Sequence, residues 1–429
     1  MIEGKESVMP KKIRRRGPSV FHKKQHRALK AVGWAVLAVL VISVGFFTAK
    51  YMLEEFQPPI ADNGSTAPTG TASSGNASGG TAPAPETTTT RRNTDGVSVD
   101  GTLRAFFLPV SRLSDTAALE AQLDAAAEAG FNAVLFDLKD ENGALHYQSA
   151  APLAAEAETI AADALTLEQL KAALGTMKAK DFAAIPRLYA FKDPTAPFEL
   201  PSAKITLESA PGLTWLDNSK DKGGKPWLNP YAPDAHQYII DLAKELAVAG
   251  FPAVMLDGVQ FPNQTSSAYY GSSELTSLSH QAVLQKFIAD LTDAVGESCR
   301  VMQTMPGLSA FGEGTEPFGG NPVTFGAATV APVLMPSTLG NRLSAGETSL
   351  SDPASSPYDA VKLAARQVQL RLELMSEADR PAMMPWLQGD GYSTEQIKRQ
   401  IAAATEILGN DASYILYKAD GSYDFAALK

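Results

Sequence analysis

The 429-residue sequence contains one cysteine, Cys299, and only five histidines. A single cysteine excludes an intramolecular disulfide, so stability must come from core packing, and we expect Cys299 to be a buried small residue in a strand. The histidines are scattered and none occurs in an HExxH or other metal-ligand spacing. The GxSxG elbow, the GxxxxGK[ST] phosphate loop and a GxGxxG motif after a strand are also absent. The sequence therefore predicts neither a metal nor a nucleotide cofactor.

Positive charge is scarce outside the N-terminal end. Residues 1–30 carry a net charge of +8, which leaves −18 for the remainder of a chain whose net charge is −10. Because nucleic acids and anionic lipids are bound through basic surfaces, this acidic remainder argues against both as ligands.

An uncharged apolar run follows the basic tail. It extends from Ala31 to Phe47 and continues through Thr48 and Ala49, which gives 17 to 19 residues. This length just crosses a hydrocarbon core about 30 Å thick. The basic flank stays in the cytoplasm by the positive-inside rule, so we expect a single-pass anchor at residues 31–49 and a C-terminal part outside the cell. A cleaved signal peptide is the alternative, which the long basic region and the lack of an A-x-A site disfavour.

Residues 57–100 are rich in Thr, Ser, Gly, Ala and Pro. Such a composition buries too little apolar area to offset chain entropy, so it predicts a flexible linker. Residues 101–429 then form the predicted folded domain, which is long enough for a single large core.

Strand and helix patterns alternate throughout residues 101–429. Two stretches share one layout, because Gly130 precedes Asp137 by the same spacing as Gly250 precedes Asp257. The eight predicted strands are Leu103–Val110, Phe131–Leu138, Ala183–Phe191, Pro252–Leu256, Arg300–Met305, Thr329–Met335, Pro381–Leu387 and Ala412–Tyr417. Eight strands alternating with helices predict a (β/α)8 TIM-type barrel. A doubly wound open sheet is the alternative, since periodicity does not reveal closure.

Polar side chains cluster where the predicted strands end. Asp137, Lys139 and Asp140 follow the second strand, Arg187 lies on the third, and Asp257 ends the fourth. In a (β/α)8 barrel the loops at these ends build the active site. Carboxylates from different strands meeting at one mouth suit glycosidic cleavage, in which one protonates the leaving oxygen and another attacks carbon or activates water.

The same residues also have structural interpretations. Asp137 could form an ion pair with Lys139 or Arg187, and residues 140–143 have the composition of an ordinary polar turn. Catalysis and structure are about equally supported for Asp257, since it ends an otherwise apolar strand.

Aromatic and amide residues in the same loops are candidates for sugar binding, because flat rings pack against the apolar faces of sugars. We assign this role to Trp227, Tyr231, Gln260, Trp386 and Gln388. Burial in the core is the alternative for the aromatic residues. Trp227, in the polar stretch GGKPWLNP, is the one least easily assigned to the core.

Six ordered stretches resemble a bacterial family named the "putative glycosyl hydrolase domain". They are NAVLFDLKDENGALHY, RLYAFKDP, WLNPYAPDAHQYIIDLAKELAVAGFPAVMLDGVQFP, LMPSTLG, SPYDAV and PWLQGDGYSTEQIKRQIAAA. The resemblance implies a TIM-type barrel with a glycosidase site. The family pattern resembles FDYIRFP where this chain has LDGVQFP, so Asp257 matches but Gly258 and Gln260 replace a tyrosine and an arginine. After strand five an acidic residue is expected, whereas this chain has Gln303 and no acid before Glu313 and Glu316.

The sequence thus predicts a membrane-anchored extracellular glycoside hydrolase acting on cell-wall or environmental polysaccharide. Asp257 is the predicted nucleophile or base, Asp137 and Asp140 are supporting acids, and Lys139 and Arg187 orient them. The general acid is unassigned, with Glu313 and Glu316 as candidates. A catalytically impaired glycan-binding module and an envelope scaffold are the alternatives.

Overall fold

The computed structural model describes residues 98–263 and 265–429. The predicted tail at 1–30, the anchor at 31–49 and nearly all of the linker at 57–100 lie outside the described residues. Within the described part of the chain, no helix has both the length and the apolarity needed to cross a bilayer.

Eight parallel strands form the centre of the described domain. They are β1 (Arg104–Phe107), β2 (Ala133–Lys139), β3 (Ala183–Tyr189), β4 (Ala253–Asp257), β5 (Arg300–Pro306), β6 (Thr329–Val333), β7 (Trp386–Gln388) and β8 (Tyr414–Tyr417). Each strand pairs in parallel with the next, and β8 pairs with β1. The sheet is therefore a closed barrel, which confirms the predicted TIM-type fold over the open-sheet alternative.

Six long helices cover the barrel. They are α1 (Thr116–Glu128), α2 (Leu167–Ala179), α3 (Pro233–Val248), α4 (His280–Val295), α5 (Pro357–Glu373) and α6 (Thr394–Leu408). Local sequence signals set several of their ends. Capping boxes at Thr166 and Ser393 start α2 and α6, as predicted. Gly130 and Gly250, at φ +81° and +93°, adopt the left-handed conformation that terminates α1 and α3.

Shorter elements fill the connections. Strands Leu145–Tyr147 and Ile160–Leu165 extend the sheet beside β2, and Ala382–Met383 pairs with β6. A small sheet combines Thr206–Leu207, Ala210–Thr214 and Ala268–Tyr269, and Arg342–Ala345 forms a hairpin with Thr348–Ser351. The remaining helical turns are Val110–Ser114, Pro152–Glu156, Ala196–Glu199, Lys220–Lys222, Gly307–Ala310, Glu316–Phe318, Pro322–Thr324, Pro336–Thr338, Pro353–Ser355 and Phe425–Leu428.

Side chains inside the barrel are stacked in layers by strand register. Ala133 of β2 pairs with Ala183 of β3, and Leu135 pairs with Ile185 one layer higher. These layers are apolar and fully buried. The next inward-facing pair is Asp137 with Arg187, so the barrel interior changes from apolar to charged where the strands reach the mouth.

Phe106 is a central contact between the barrel and its outer helices. Its side chain is fully buried and contacts the rings of Phe131, Phe182, Tyr423 and Phe425 at centroid distances of 5.2 to 6.3 Å. Phe106→Ala should lower the free energy of unfolding by about 3–5 kcal/mol, because it leaves a cavity among four rings. Urea denaturation measures this loss.

Phe198→Ala is the matched control, since the Phe198 side chain is 56% exposed. It should change the free energy of unfolding by less than about 0.5 kcal/mol. Equal effects of the two substitutions would contradict the assignment of Phe106 to the core.

Candidate functional site

Parallel pairing of β2, β3 and β4 brings three charged side chains together at the mouth. Arg187 Nε and Nη2 donate to the two carboxylate oxygens of Asp137 at 2.6 and 2.9 Å. Arg187 Nη1 donates to Asp257 Oδ2 at 3.1 Å. One guanidinium group therefore joins the carboxylates of β2 and β4, with a bidentate pair on one side and a single hydrogen bond on the other.

Aromatic rings flank this guanidinium group. The Tyr189 and Trp386 rings lie 5.0 and 4.8 Å from the Arg187 Cζ atom, within cation–π range. Burial alone would lower the pKa of Arg187, but Asp137, Tyr189 and Asp257 raise it overall, with Asp137 contributing most. Arg187 is thus a permanently charged group fixed in place by carboxylates and rings.

Asp257 is the carboxylate of this group with the most distinctive chemistry. Its side chain is 22% exposed, and its Oδ1 accepts a 2.7 Å hydrogen bond from the Gly258 amide. Burial raises the pKa of Asp257 above its usual value, against the lowering effects of Arg187, the Gly258 amide and the Tyr189 hydroxyl. A raised pKa favours the protonated form of a carboxyl group, which suits a proton donor.

A cavity of about 340 Å³ opens beside Asp257 at the ends of β3 to β6. Its size is near the lower end of the usual range for ligand sites, about 300–1,000 Å³. Asp257 contributes the one carboxylate among the described residues that line it. The other lining residues are Tyr189, Lys192, Trp227, Gly258, Gln260, Asn263, Thr304, Met305, Pro306, Gly307, Leu308, Val333 and Thr338.

The backbone conformation and a close neighbour explain why position 258 is a glycine. Gly258 has φ +62°, and an added Cβ would lie 3.0 Å from Lys192 Cβ and 3.4 Å from Lys192 N. A tyrosine, which the family pattern has here, would therefore be strained in this backbone conformation. Glycine in place of tyrosine allows the loop that carries Lys192 to approach the end of β4 closely.

Lys139 lies away from the cavity. The register of β2 against β3 shifts between Asp137 and Lys139, so Lys139 points to the outer side of the sheet. There its ammonium group pairs with Asp193 at 2.6 Å, donates to the Tyr189 carbonyl at 2.9 Å and lies 5.6 Å from the Tyr238 ring of α3. Both charged side chains are fully buried, so the pair joins the sheet to α3 and the β3 loop.

Asp140 shapes the loop after β2. Its Oδ1 accepts hydrogen bonds from the amides of Asn142 and Ala144, and its Oδ2 lies 3.1 Å from His146 Nε2. Burial raises the pKa of Asp140, but these hydrogen bonds outweigh burial and lower it overall. The structure therefore places the Asp140 carboxylate within its own turn, separate from the Arg187 group.

The predicted sugar-binding residues fall into two sets. Trp227 and Gln260 line the cavity, although Trp227 is largely buried and donates its indole N–H to Asp217. Tyr231, Trp386 and Gln388 do not line it. Tyr231 donates to the Leu278 carbonyl, Trp386 lies under Arg187 inside the barrel, and Gln388 accepts from the Ser337 amide.

Glu313 and Glu316, the candidates for a general acid, are exposed and do not line the cavity. Conversely, sequence reasoning missed Tyr189 and Thr304, which do. Their signal was strand alternation, because Tyr189 lies two residues after Arg187 and so shares its inward face. No group of three or more metal-ligating side chains occurs in residues 98–263 and 265–429.

Comparison with known proteins identifies the family. Residues 105–423 match the model of the "putative glycosyl hydrolase domain". The chain belongs to this family. No curated protein sequence matches it.

Solved structures with similarity to the chain include a hypothetical protein from Ruminiclostridium thermocellum, 23% identical over 46% of this chain and 96% of that one, with a TM-score of 0.39. An inactive mutant of a family 20 exo-β-N-acetylglucosaminidase from Vibrio harveyi is 11% identical, with a TM-score of 0.48 over 76% of this chain and 53% of that one. The catalytic domain of a β-amylase from Paenibacillus polymyxa is 11% identical, with a TM-score of 0.44 over 78% of this chain and 97% of that one. The chain thus covers about half the length of the Vibrio enzyme.

Arg187→Met should destabilise the protein by about 3–5 kcal/mol at neutral pH, because it leaves two carboxylates at the mouth without their cation. Arg187 is the main group that lowers the pKa of Asp257, so that pKa rises further in the variant. When the pKa of Asp257 is higher in the folded than in the unfolded protein, the folded state loses stability as pH rises from the unfolded-state pKa through the folded-state pKa. The loss should therefore be smaller at about pH 4 than at about pH 8 in urea denaturation.

Arg366→Met, which removes an exposed pair with Glu373 at 3.2 Å, is the control and should cost less than about 1 kcal/mol. A loss for Arg187→Met that is the same at both pH values would contradict the coupling to Asp257.

Proposed function

We propose that the domain is a glycoside hydrolase in which Asp257 donates a proton to the glycosidic oxygen. The observation that carries the proposal is the position of Asp257, a carboxyl group with a raised pKa on the wall of the cavity at the barrel mouth. A sugar alkoxide is a poor leaving group until it is protonated, so cleavage requires such a donor. Membership of the family supports this reaction class.

The neighbours of Asp257 suit a sugar ligand. Trp227 and Tyr189 offer apolar ring surfaces at the cavity, and Gln260, Asn263 and Thr338 offer neutral hydrogen-bonding groups. We infer a polysaccharide substrate of the cell wall or the surroundings of the cell, bound through one or a few sugar rings.

Asp257→Asn should reduce the release of reducing ends by about 100-fold or more, because the amide cannot supply the proton. The measurement uses the full-length protein with peptidoglycan, chitin oligosaccharides, and α- and β-glucans. Glu313→Gln is the matched control, since Glu313 is exposed and outside the cavity, and it should retain full activity. Equal activity of Asp257→Asn and the unaltered protein would refute the proposal.

A glycan-binding module without hydrolytic activity is the second candidate. It is favoured by the single carboxylate on the cavity wall in the described part of the chain. The unaltered protein would then release no reducing ends from any substrate in the series. Calorimetric titration would instead find saturable oligosaccharide binding that persists in Asp257→Asn.

We further propose that residues 31–49 anchor the protein in the cytoplasmic membrane with the barrel outside. The uncharged run after a basic tail supports this orientation. A cysteine introduced by Ser344→Cys, at an exposed hairpin position, should react with a membrane-impermeant maleimide in intact cells. Native Cys299 should not react, because it is buried and burial raises its pKa to about 12.

Ser19→Cys, in the basic tail, is the control and should react only after the cells are permeabilised. Labelling of the Ser19→Cys variant in intact cells, with none of the Ser344→Cys variant, would contradict the proposed orientation.

A further inference from the structure

Hydrolysis of a glycosidic bond ordinarily uses two carboxyl groups, so the proposed function requires a partner for Asp257. Asp137 is poorly suited to that part, because Arg187 holds both of its oxygens at 2.6 and 2.9 Å. The partner should be a carboxylate at the cavity rim whose oxygens are not consumed by the fold.

Glu141 is placed at this rim by its contact with Lys192. Glu141 Oε2 lies 3.2 Å from Lys192 Nζ, and Lys192 lines the cavity. The Glu141 side chain is 61% exposed, so the pair is open to solvent and readily exchanged for a ligand.

The charge of Glu141 also acts on two tyrosine side chains near the mouth. Burial is the main cause of the raised pKa of Tyr189 and of Tyr417, and the Glu141 charge adds to both shifts. Tyr189 is on the cavity wall, and Tyr417 ends β8 beside Trp386. From the loop after β2, the Glu141 charge thus acts weakly on two tyrosines of the mouth.

The loop that carries Glu141 is held firmly on both sides. Asp140 accepts from the amides of Asn142 and Ala144, and the Thr195 hydroxyl donates to the Asn142 carbonyl at 2.8 Å. Gly143 has φ +81°, and an added Cβ would lie 2.2 Å from Asp193 Oδ1. Asp140, Asn142 and Gly143 thus fix the backbone of the loop, whereas the Glu141 side chain contacts Lys192.

Other carboxylates near the mouth are less suitable. Both oxygens of Asp140 are engaged within its turn, and Asp390 Oδ2 accepts from the Ala419 amide at 2.8 Å. The Glu313 amide donates to the carbonyl of Leu308, a cavity-lining residue, at 2.9 Å, but among the described residues neither the Glu313 side chain nor that of Glu316 pairs with a lining residue.

We infer that Glu141 is the second catalytic carboxylate, which accepts a proton from the attacking water. This assignment rests on the proposed hydrolase function. Asp257 transfers its proton to the glycosidic oxygen as the bond from that oxygen to the anomeric carbon breaks. The water oxygen bonds to the anomeric carbon and passes one proton to Glu141. One water is consumed, and proton exchange with solvent restores both carboxyl groups.

Glu141→Gln in the full-length protein tests the assignment, with peptidoglycan, chitin oligosaccharides, and α- and β-glucans as substrates. The release of reducing ends should fall by about 100-fold or more in kcat, with KM nearly unchanged, because the amide cannot accept the proton. Added azide, an anion that attacks without a base, should restore bond cleavage, detected by mass spectrometry as a glycosyl azide because the azide-bearing end is not a reducing end. The thermal midpoint should match that of the unaltered protein.

Lys192→Gln distinguishes a catalytic role of Glu141 from a structural role of its ion pair with Lys192. It removes the partner of Glu141 but keeps the carboxylate, so it should lose less activity than Glu141→Gln and should show no azide rescue. Equal, unrescued losses in the two variants, or more than half of the activity in Glu141→Gln, would overturn the assignment while leaving the hydrolase proposal intact. Absence of reducing ends from the unaltered protein would overturn both.

Discussion

The buried guanidinium group of Arg187 is the constraint on which the barrel mouth depends. A permanent cation in a largely apolar enclosure is tolerated only when carboxylates meet it. The two strands that pair with β3 supply these, as Asp137 on β2 and Asp257 on β4. The position of Asp257 on the cavity wall is thus determined by the same ion-pair group that stabilises the top layer of the barrel.

The irregularity in β2 divides the charges of the mouth into two groups. Asp137 points inward to Arg187, whereas Lys139, after the shift in register, points outward to Asp193. The outer pair fixes the loop after β3, and Gly143 packs directly on Asp193. This arrangement connects the loop that carries Glu141 to the loop that carries Lys192.

Much of the fold was accessible from the sequence, because its signals are local. Apolar runs marked all eight strands, and residues such as Thr166 and Gly250 marked helix ends through hydrogen-bonding and backbone conformation. Closure was not accessible, since the pairing of β1 with β8 joins segments that are distant in the chain. The outward turn of Lys139 was also hidden, because a register shift leaves no trace in the alternation of residue types. The aromatic residues Tyr231 and Trp386 lie within packed regions, so residue type alone did not separate core from cavity.

The central claim is that Asp257 is the proton donor, and the most direct test is the dependence of hydrolysis on the leaving group. Asp257→Asn would be assayed on a series of aryl glycosides of the sugar that the protein cleaves. A proton donor is needed only for poor leaving groups. The account predicts a rate close to that of the unaltered protein for a dinitrophenyl glycoside, and a loss that grows steadily as the leaving group becomes more basic. The same loss across the whole series would contradict it.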